Sequence, residues 1–171
     1  MNESLSQATS TSAAHEMVLR MHGSKRLYFW RCFWLSFLVV SLAYAWYSFY
    51  VPTNHIAWAD NFPAAQQQAA ASGKPMILYF TGQWCVPCRI MKREVWADEQ
   101  VTAIVNAQFI PVAVDVNGLE GAEVMARYNV AGSPVTFITD AQGNVLRWRD
   151  GRIGKTEFLE LLRAANSGDE S

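Results

Sequence analysis

What the sequence has little of narrows its chemistry first. Its 171 residues hold three cysteines and three histidines, and Lys and Arg are offset by Asp and Glu to a net charge of -1. A basic patch or stripe is the electrostatic footprint of a nucleic-acid binder, so nucleic acid is excluded as a partner. No histidine follows His55 and no cysteine follows Cys88. A zinc site takes about four ligands, usually two cysteine pairs or a cysteine pair with a histidine pair. No metal and no other resident cofactor is therefore expected.

Charge is absent from one long run. From Cys32 to Val51 (CFWLSFLVVSLAYAWYSFYV) there is no Asp, Glu, Lys, Arg or His. About 20 helical residues cross the roughly 30 Å hydrocarbon core of a bilayer, whereas buried core helices suit apolar runs of about 10–14. Trp34, Trp46, Tyr47 and Tyr50 lie towards the ends of the run, as in interfacial aromatic belts. Residues 32–51 are expected to be a transmembrane helix in contact with lipid. Arg20, Lys25, Arg26 and Arg31 precede it, and the next Lys or Arg is Lys74. The positive-inside rule puts the N-terminus in the cytoplasm and the rest on the far side, periplasmic in a bacterium. The competing reading is a cleaved signal peptide and a soluble exported domain, since Ala43-Tyr44-Ala45 and Ala57-Trp58-Ala59 fit small-x-small cleavage patterns. Either way the C-terminal domain is exported.

The chain divides into a polar tail over 1–26 with little capacity to fold, the span 32–51, a linker 52–59, one domain over 60–166 and a tail over 167–171. Phe62 to Ser72 is rich in Ala and Gln, with Pro63 at its start and Gly73 at its end, and reads as a helix. Met76 to Phe80 is a short apolar run between turn formers, as in a buried strand. Helical spacing returns from Val86, and Asp98 caps a further helix through Val101 and Val105. Phe109 to Val116 reads as a strand and Glu120 to Tyr128 as a helix. Val135 to Thr139 and Asn144 to Trp148 are two strands joined by Asp140-Ala141-Gln142-Gly143. Phe158, Leu161, Leu162 and Ala165 mark a last amphipathic helix. Alternation followed by a hairpin implies an α/β fold whose central sheet is parallel in part and antiparallel at one edge, with helices on both faces.

Cys85 and Cys88 form a Cys-x-x-Cys where the Met76–Phe80 strand leads into a helix. Unpaired first-turn amides and the helix dipole favour an anion there, and thiolate is the reactive form of cysteine. Cys85, nearer the helix start, is the expected nucleophile, and Cys88, one turn in, the resolving thiol. Pro87 is tolerated because first-turn amides lack intrahelical partners. A purely structural disulfide is the rival reading, but so small a closed loop contributes little entropy. Cys32, at the border of the apolar run, reads as an ordinary apolar residue.

From about Phe62 to Ala165 the sequence resembles the thioredoxin superfamily, most closely exported members related to the C-terminal domain of DsbD-type thiol reductases. The resemblance is carried by Gly73-Lys74-Pro75, Trp84-Cys85-Val86-Pro87-Cys88-Arg89, Met91-Lys92-Arg93-Glu94-Val95, Val114-Asp115-Val116 and Tyr128-Asn129-Val130-Ala131-Gly132-Ser133-Pro134-Val135-Thr136-Phe137. It implies a thioredoxin-like fold and a cis Pro134 facing the dithiol. The backbone of Ser133 would then lie beside Cys85 as a ledge for an extended substrate. It also implies that Trp84 is a surface aromatic at the site, with Val86 and Pro87 tuning the dithiol between them.

One departure stands out. Many thioredoxins have a buried Asp six residues before the first Cys, and here that residue is Tyr79. With an ordinary pKa near 10, a phenol is a poor proton acceptor, and Glu94 could substitute only if the fold brought it close. The implied activity is that of a thiol:disulfide oxidoreductase, reducing by resemblance. Its substrates would be disulfides of exported proteins, apocytochromes among the candidates, and its electron donor a membrane thiol carrier. The alternatives are a redox-sensing or partner-binding module without turnover and a membrane scaffold with an inert disulfide.

Overall fold

The computed structural model describes residues 3–167, with side chains from Arg26 onward. Two compact units divide at residue 50. The first is one helix, α1 (Glu3–Phe49), of which Arg26–Phe49 is a 24-residue apolar stretch of mean hydropathy 1.5 with no part buried. At 1.5 Å per residue it is about 36 Å long, enough by length and composition to cross a bilayer. The helical backbone starts at Glu3, whereas composition points to an unfolded tail over 1–26. The first proline of the chain is Pro52 and the segment 3–49 has a single glycine, so nothing in it breaks a helix. Of the closing tail 167–171, all but Ser167 lies outside the described residues.

The second unit contains α2 (Phe62–Ser72), β1 (Met76–Thr81), α3 (Val86–Glu94), α4 (Glu99–Gln108), β2 (Ile110–Asp115), α5 (Leu119–Arg127), β3 (Val135–Thr139), β4 (Val145–Asp150) and α6 (Lys155–Asn166). The strands form one sheet in the order β2-β1-β3-β4, with β1 parallel to β2 and antiparallel to β3, and β3 antiparallel to β4. The fold is α/β with a sheet parallel in part and antiparallel at one edge, as the alternation and final hairpin imply, and it has the thioredoxin-like form that the resemblance implies.

Strand β1 is buried along its whole length. Because successive strand side chains point to opposite faces, Met76, Leu78 and Phe80 pack with Phe62, Ala65, Val112 and Val124 on the α2/α5 side. Ile77 and Tyr79 pack with Met91, Val101, Phe158 and Leu162 on the α3/α4/α6 side. A strand covered on both faces has no solvent-facing side to fill with polar residues, which explains the apolar run from Met76 to Phe80.

Helix ends follow local chemistry. Asn61 caps α2 by accepting from Ala64 N at 2.8 Å, and Gly73 closes it in the left-handed conformation at φ 70°. Asp98 caps α4, accepting from Gln100 N at 3.0 Å and Val101 N at 3.1 Å. The β3–β4 turn is held by Asp140, which accepts from Gln142 N and Asn144 N, and Gly143 supplies φ 90°.

The second half of 52–59 is not a free linker. Ile56 is buried, and Trp58 stacks edge-on against Trp96 at 4.9 Å between ring centroids. Asn106 accepts from Ala57 N and donates to the His55 carbonyl, each at 2.9 Å. Ala59 bridges Val112 alongside β2. The reason is an apolar pair, Ile56 and Trp58, whose burial requires docking of the intervening backbone.

Candidate active site

The site is built where β1 ends. Strand pairing sets Phe80 opposite Val135, which brings the residues just before β3 beside Thr81 and the loop that follows. The Ser133–Pro134 peptide in that segment is cis, and the Pro134 carbonyl accepts from Gly151 N at 2.9 Å. Gly82 lies so close that a Cβ there would meet Ser133 Oγ at 3.6 Å and Asn117 Nδ2 and a Val116 methyl at 3.2 Å each. The active-site loop and the Ser133–Pro134 segment are thus neighbours because β1 and β3 are neighbours.

Cys85 is the N-cap of α3 and is half-buried, whereas Cys88 is fully buried. The two are joined in a disulfide with Cα atoms 5.2 Å apart, within the usual span for such a bond. Cys88 N donates to Cys85 Sγ at 3.1 Å. That sulfur therefore occupies the place where a capping oxygen would satisfy a first-turn amide, the position that stabilises negative charge. Pro87 takes a first-turn position at no hydrogen-bond cost. Around the sulfur, Trp84 is 76% and Val86 55% exposed, an apolar rim on the surface of the domain.

Behind Cys88 the packing is aromatic. Tyr79 Oη donates to the Cys88 carbonyl at 3.2 Å, and its ring lies 5.0 Å from that of Trp96, which in turn packs on Phe158 at 4.8 Å. Burial pushes the Tyr79 hydroxyl up to about 12, against smaller opposing pulls from the side chains of Thr81 and Trp96. Glu94 is not in this pocket: it is exposed at the end of α3 and pairs with Arg152 at 3.1 Å. Helical spacing agrees, since six residues along a helix is about 9 Å and about a third of a turn off the face of Cys88. Trp58 and Trp96 at the base of the pocket were missed as site residues; a bulky apolar residue flags burial, not what it is buried against.

Residues 57–141 match the model of a family described as thioredoxin-like. Over 103 residues the chain is 33% identical to the thiol:disulfide interchange protein DsbD of Ralstonia nicotianae, covering 59% of this chain and 17% of that protein. The domain belongs to the thioredoxin superfamily. Its DsbD-like character is carried by sequence, and the chain spans less than a fifth of the length of those relatives. Among solved structures, a thioredoxin from Thermus thermophilus matches with a TM-score of 0.57 and 28% identity, covering 63% of this chain and 85% of that one. The C-terminal domain of Neisseria meningitidis DsbD, in its oxidised form, matches with a TM-score of 0.50 and 23% identity, covering 57% and 86%. That last likeness is one of fold.

Within the thioredoxin-like domain, then, Cys85, Cys88, Trp84, Val86 and Pro87 lie on one loop and helix start, with Ser133 and Pro134 on the adjoining segment. Tyr79 sits beneath them in place of an acid.

Proposed function

We propose that this chain is a membrane-anchored thiol:disulfide oxidoreductase that reduces disulfides of exported proteins. The observation that carries the reading is Cys85 Sγ at the N-cap of α3, receiving the Cys88 amide at 3.1 Å while Cys88 stays buried behind it. In the reduced protein the same amide stabilises a Cys85 thiolate, the attacking species. The thiolate attacks one sulfur of a substrate disulfide, a Cys85–substrate bond forms, and the other substrate sulfur leaves and takes a proton from solvent. Cys88 then loses its proton, its sulfur attacks Cys85 Sγ, and the second substrate thiol departs as the Cys85–Cys88 bond closes. Two electrons pass from the dithiol to the substrate. Trp84 and Val86 offer an apolar rim for the incoming chain, and the backbone at Ser133–Pro134 offers it a ledge.

Similarity to DsbD supports the reducing direction and an electron donor that is a membrane thiol carrier. The apolar helix Arg26–Phe49 supports anchoring, and the basic residues before it support a cytoplasmic N-terminus. Apocytochromes are one substrate class whose cysteines need such reduction.

A Cys88→Ser variant tests the reading. Several exported proteins should accumulate as mixed disulfides on Cys85. No trapped species, or one stoichiometric partner alone, would sink the enzyme and leave a sensing or binding module. Equilibration with glutathione then settles direction: a potential near about -270 mV fits a reductant, and one near about -120 mV an oxidant.

A further inference from the structure

We propose that Tyr79 is a positioning residue that holds the resolving cysteine in a pocket without a proton acceptor. Cys88 then gives its proton to base arriving from solvent through the opening at Cys85, and the mixed disulfide on Cys85 is long-lived at neutral pH. The inference rests on the oxidoreductase reading and concerns its second step.

The pocket's composition is the first support. Cys88 is fully buried in a core cluster whose titratable side chains, among the described residues, are the two cysteines and Tyr79. Tyr79 fills the space with its ring against Trp96, at 5.0 Å, and Trp58, at 6.3 Å, and commits its proton to the Cys88 carbonyl. A phenol can receive a proton only after losing its own, and burial keeps this one neutral far above physiological pH.

The acids on the surrounding elements are exposed or paired. On α3, Arg89, Lys92 and Arg93 are cations and cannot serve as acceptors, and Glu94 is exposed and paired with Arg152. At the start of α4, Asp98 is paired with Lys155 at 2.7 Å, and Glu99 is exposed. On α6, Glu157 pairs with Arg149 at 3.5 Å and Glu160 is exposed. The faces of β1 and β3 towards this cluster bring Ile77, Tyr79 and Ile138. Near the active-site loop, Asp115 on β2 shares a cavity of about 380 Å³ with Thr81, Gly82, Gln83 and Lys92. It is exposed, and its carboxylate accepts from Asn117 N at 3.0 Å and Asn117 Nδ2 at 3.3 Å.

The chemistry of the step follows. The Cys88 S–H proton passes to hydroxide or a solvent base, the Cys88 electron pair forms the bond to Cys85 Sγ, and the Cys85–substrate bond breaks with its pair going to the substrate sulfur. With no internal acceptor, the rate tracks the Cys88 thiolate fraction, which rises about tenfold per pH unit until the thiol itself titrates.

The test uses the full chain in detergent micelles with Cys32→Ser, reduced and mixed with one equivalent of dithiobis(nitrobenzoic acid). A first release of coloured thiol reports the Cys85 adduct, and a second reports its resolution by Cys88. From pH 6 to 8 the second phase should accelerate about tenfold per unit. Asp115→Asn and Glu94→Gln should leave it within about twofold, and Tyr79→Phe should slow it about 3–10-fold at every pH with the slope kept, the worth of one buried hydrogen bond. Tyr79→Asp, where it folds, should flatten the slope by supplying an acceptor, which a merely structural role would not do. A flat wild-type profile, an Asp115→Asn variant slowed tenfold or more, or Tyr79→Phe matching wild type throughout would overturn the proposal. Absence of the first phase, with no Cys85 adduct by mass, would instead overturn the oxidoreductase reading itself.

Discussion

In a Cys32→Ser, Cys88→Ser background the chain has one thiol, Cys85, and the backbone amide of residue 88 still caps it. A hydrogen bond to an ion is worth about 1.5–3 kcal/mol net, and a helix N-terminus about 0.3–1 kcal/mol for an anion. The same amides supply both, so the thiolate gains about 2–3 kcal/mol rather than the sum. At 1.36 kcal/mol per decade this is about 30–150-fold more thiolate at a pH well below its titration. A stabilised thiolate is also a weaker nucleophile, with a Brønsted coefficient of about 0.4–0.5, so about 5–20-fold of that survives as rate. The assay is exchange with hydroxyethyl disulfide at pH 6, comparing the folded protein with the same chain unfolded in urea, where the cap is gone. Equal rates, or a slower folded protein, would refute the argument that the N-cap position activates Cys85.

Three further outcomes concern the frame around the dithiol. Asp98→Ala should cost about 1–2 kcal/mol in urea unfolding at neutral pH, about 1 from the cap and the rest from a half-exposed ion pair, while Asp98→Asn keeps the cap and loses less. The hydrogen bond from Lys155 holds the Asp98 carboxyl below its usual value of 3.8. That stability is therefore present above the unfolded value and lost as pH falls through the lowered one, so wild type and Asp98→Asn should converge in acid. Trp96→Ala should cost about 3–5 kcal/mol, since the ring is fully buried against Trp58, Tyr79 and Phe158; a loss under 1 kcal/mol by denaturant titration would contradict that packing. Gly121→Ala should cost at least about 1–3 kcal/mol in the same titration, because its Cβ would overlap the Asp115 carbonyl. A neutral result would mean that α5 and the end of β2 sit further apart.

Much of the fold was legible because its elements are locally signalled. Phe62–Ser72 is marked by Pro63 at its start and Gly73 after its end, Met76–Phe80 is bounded by turn formers, and Asp98 announces the helix after it. The stretch 52–59 was not, since nothing local says that Ile56 and Trp58 find a surface to pack on. The end of the helix 3–49 was legible in Pro52, but its beginning was not, because composition alone does not separate a soluble helix from a solvated tail.

By itself the sequence determined the reactive groups: two cysteines at helix-start spacing, no metal-ligand set around them, and a long uncharged run before them. Ordering these required only local rules of capping, periodicity and charge. Tertiary structure alone decided what surrounds the sulfurs. Pairing of β1 with β3 brings Ser133–Pro134 to the loop of Gly82, the end of α3 carries Glu94 away to Arg152, and the strand face of Tyr79 turns its hydroxyl onto the Cys88 carbonyl. Those are contacts between residues distant in sequence or on different sides of a helix, and only the packing of the sheet against its helices sets which of them meet.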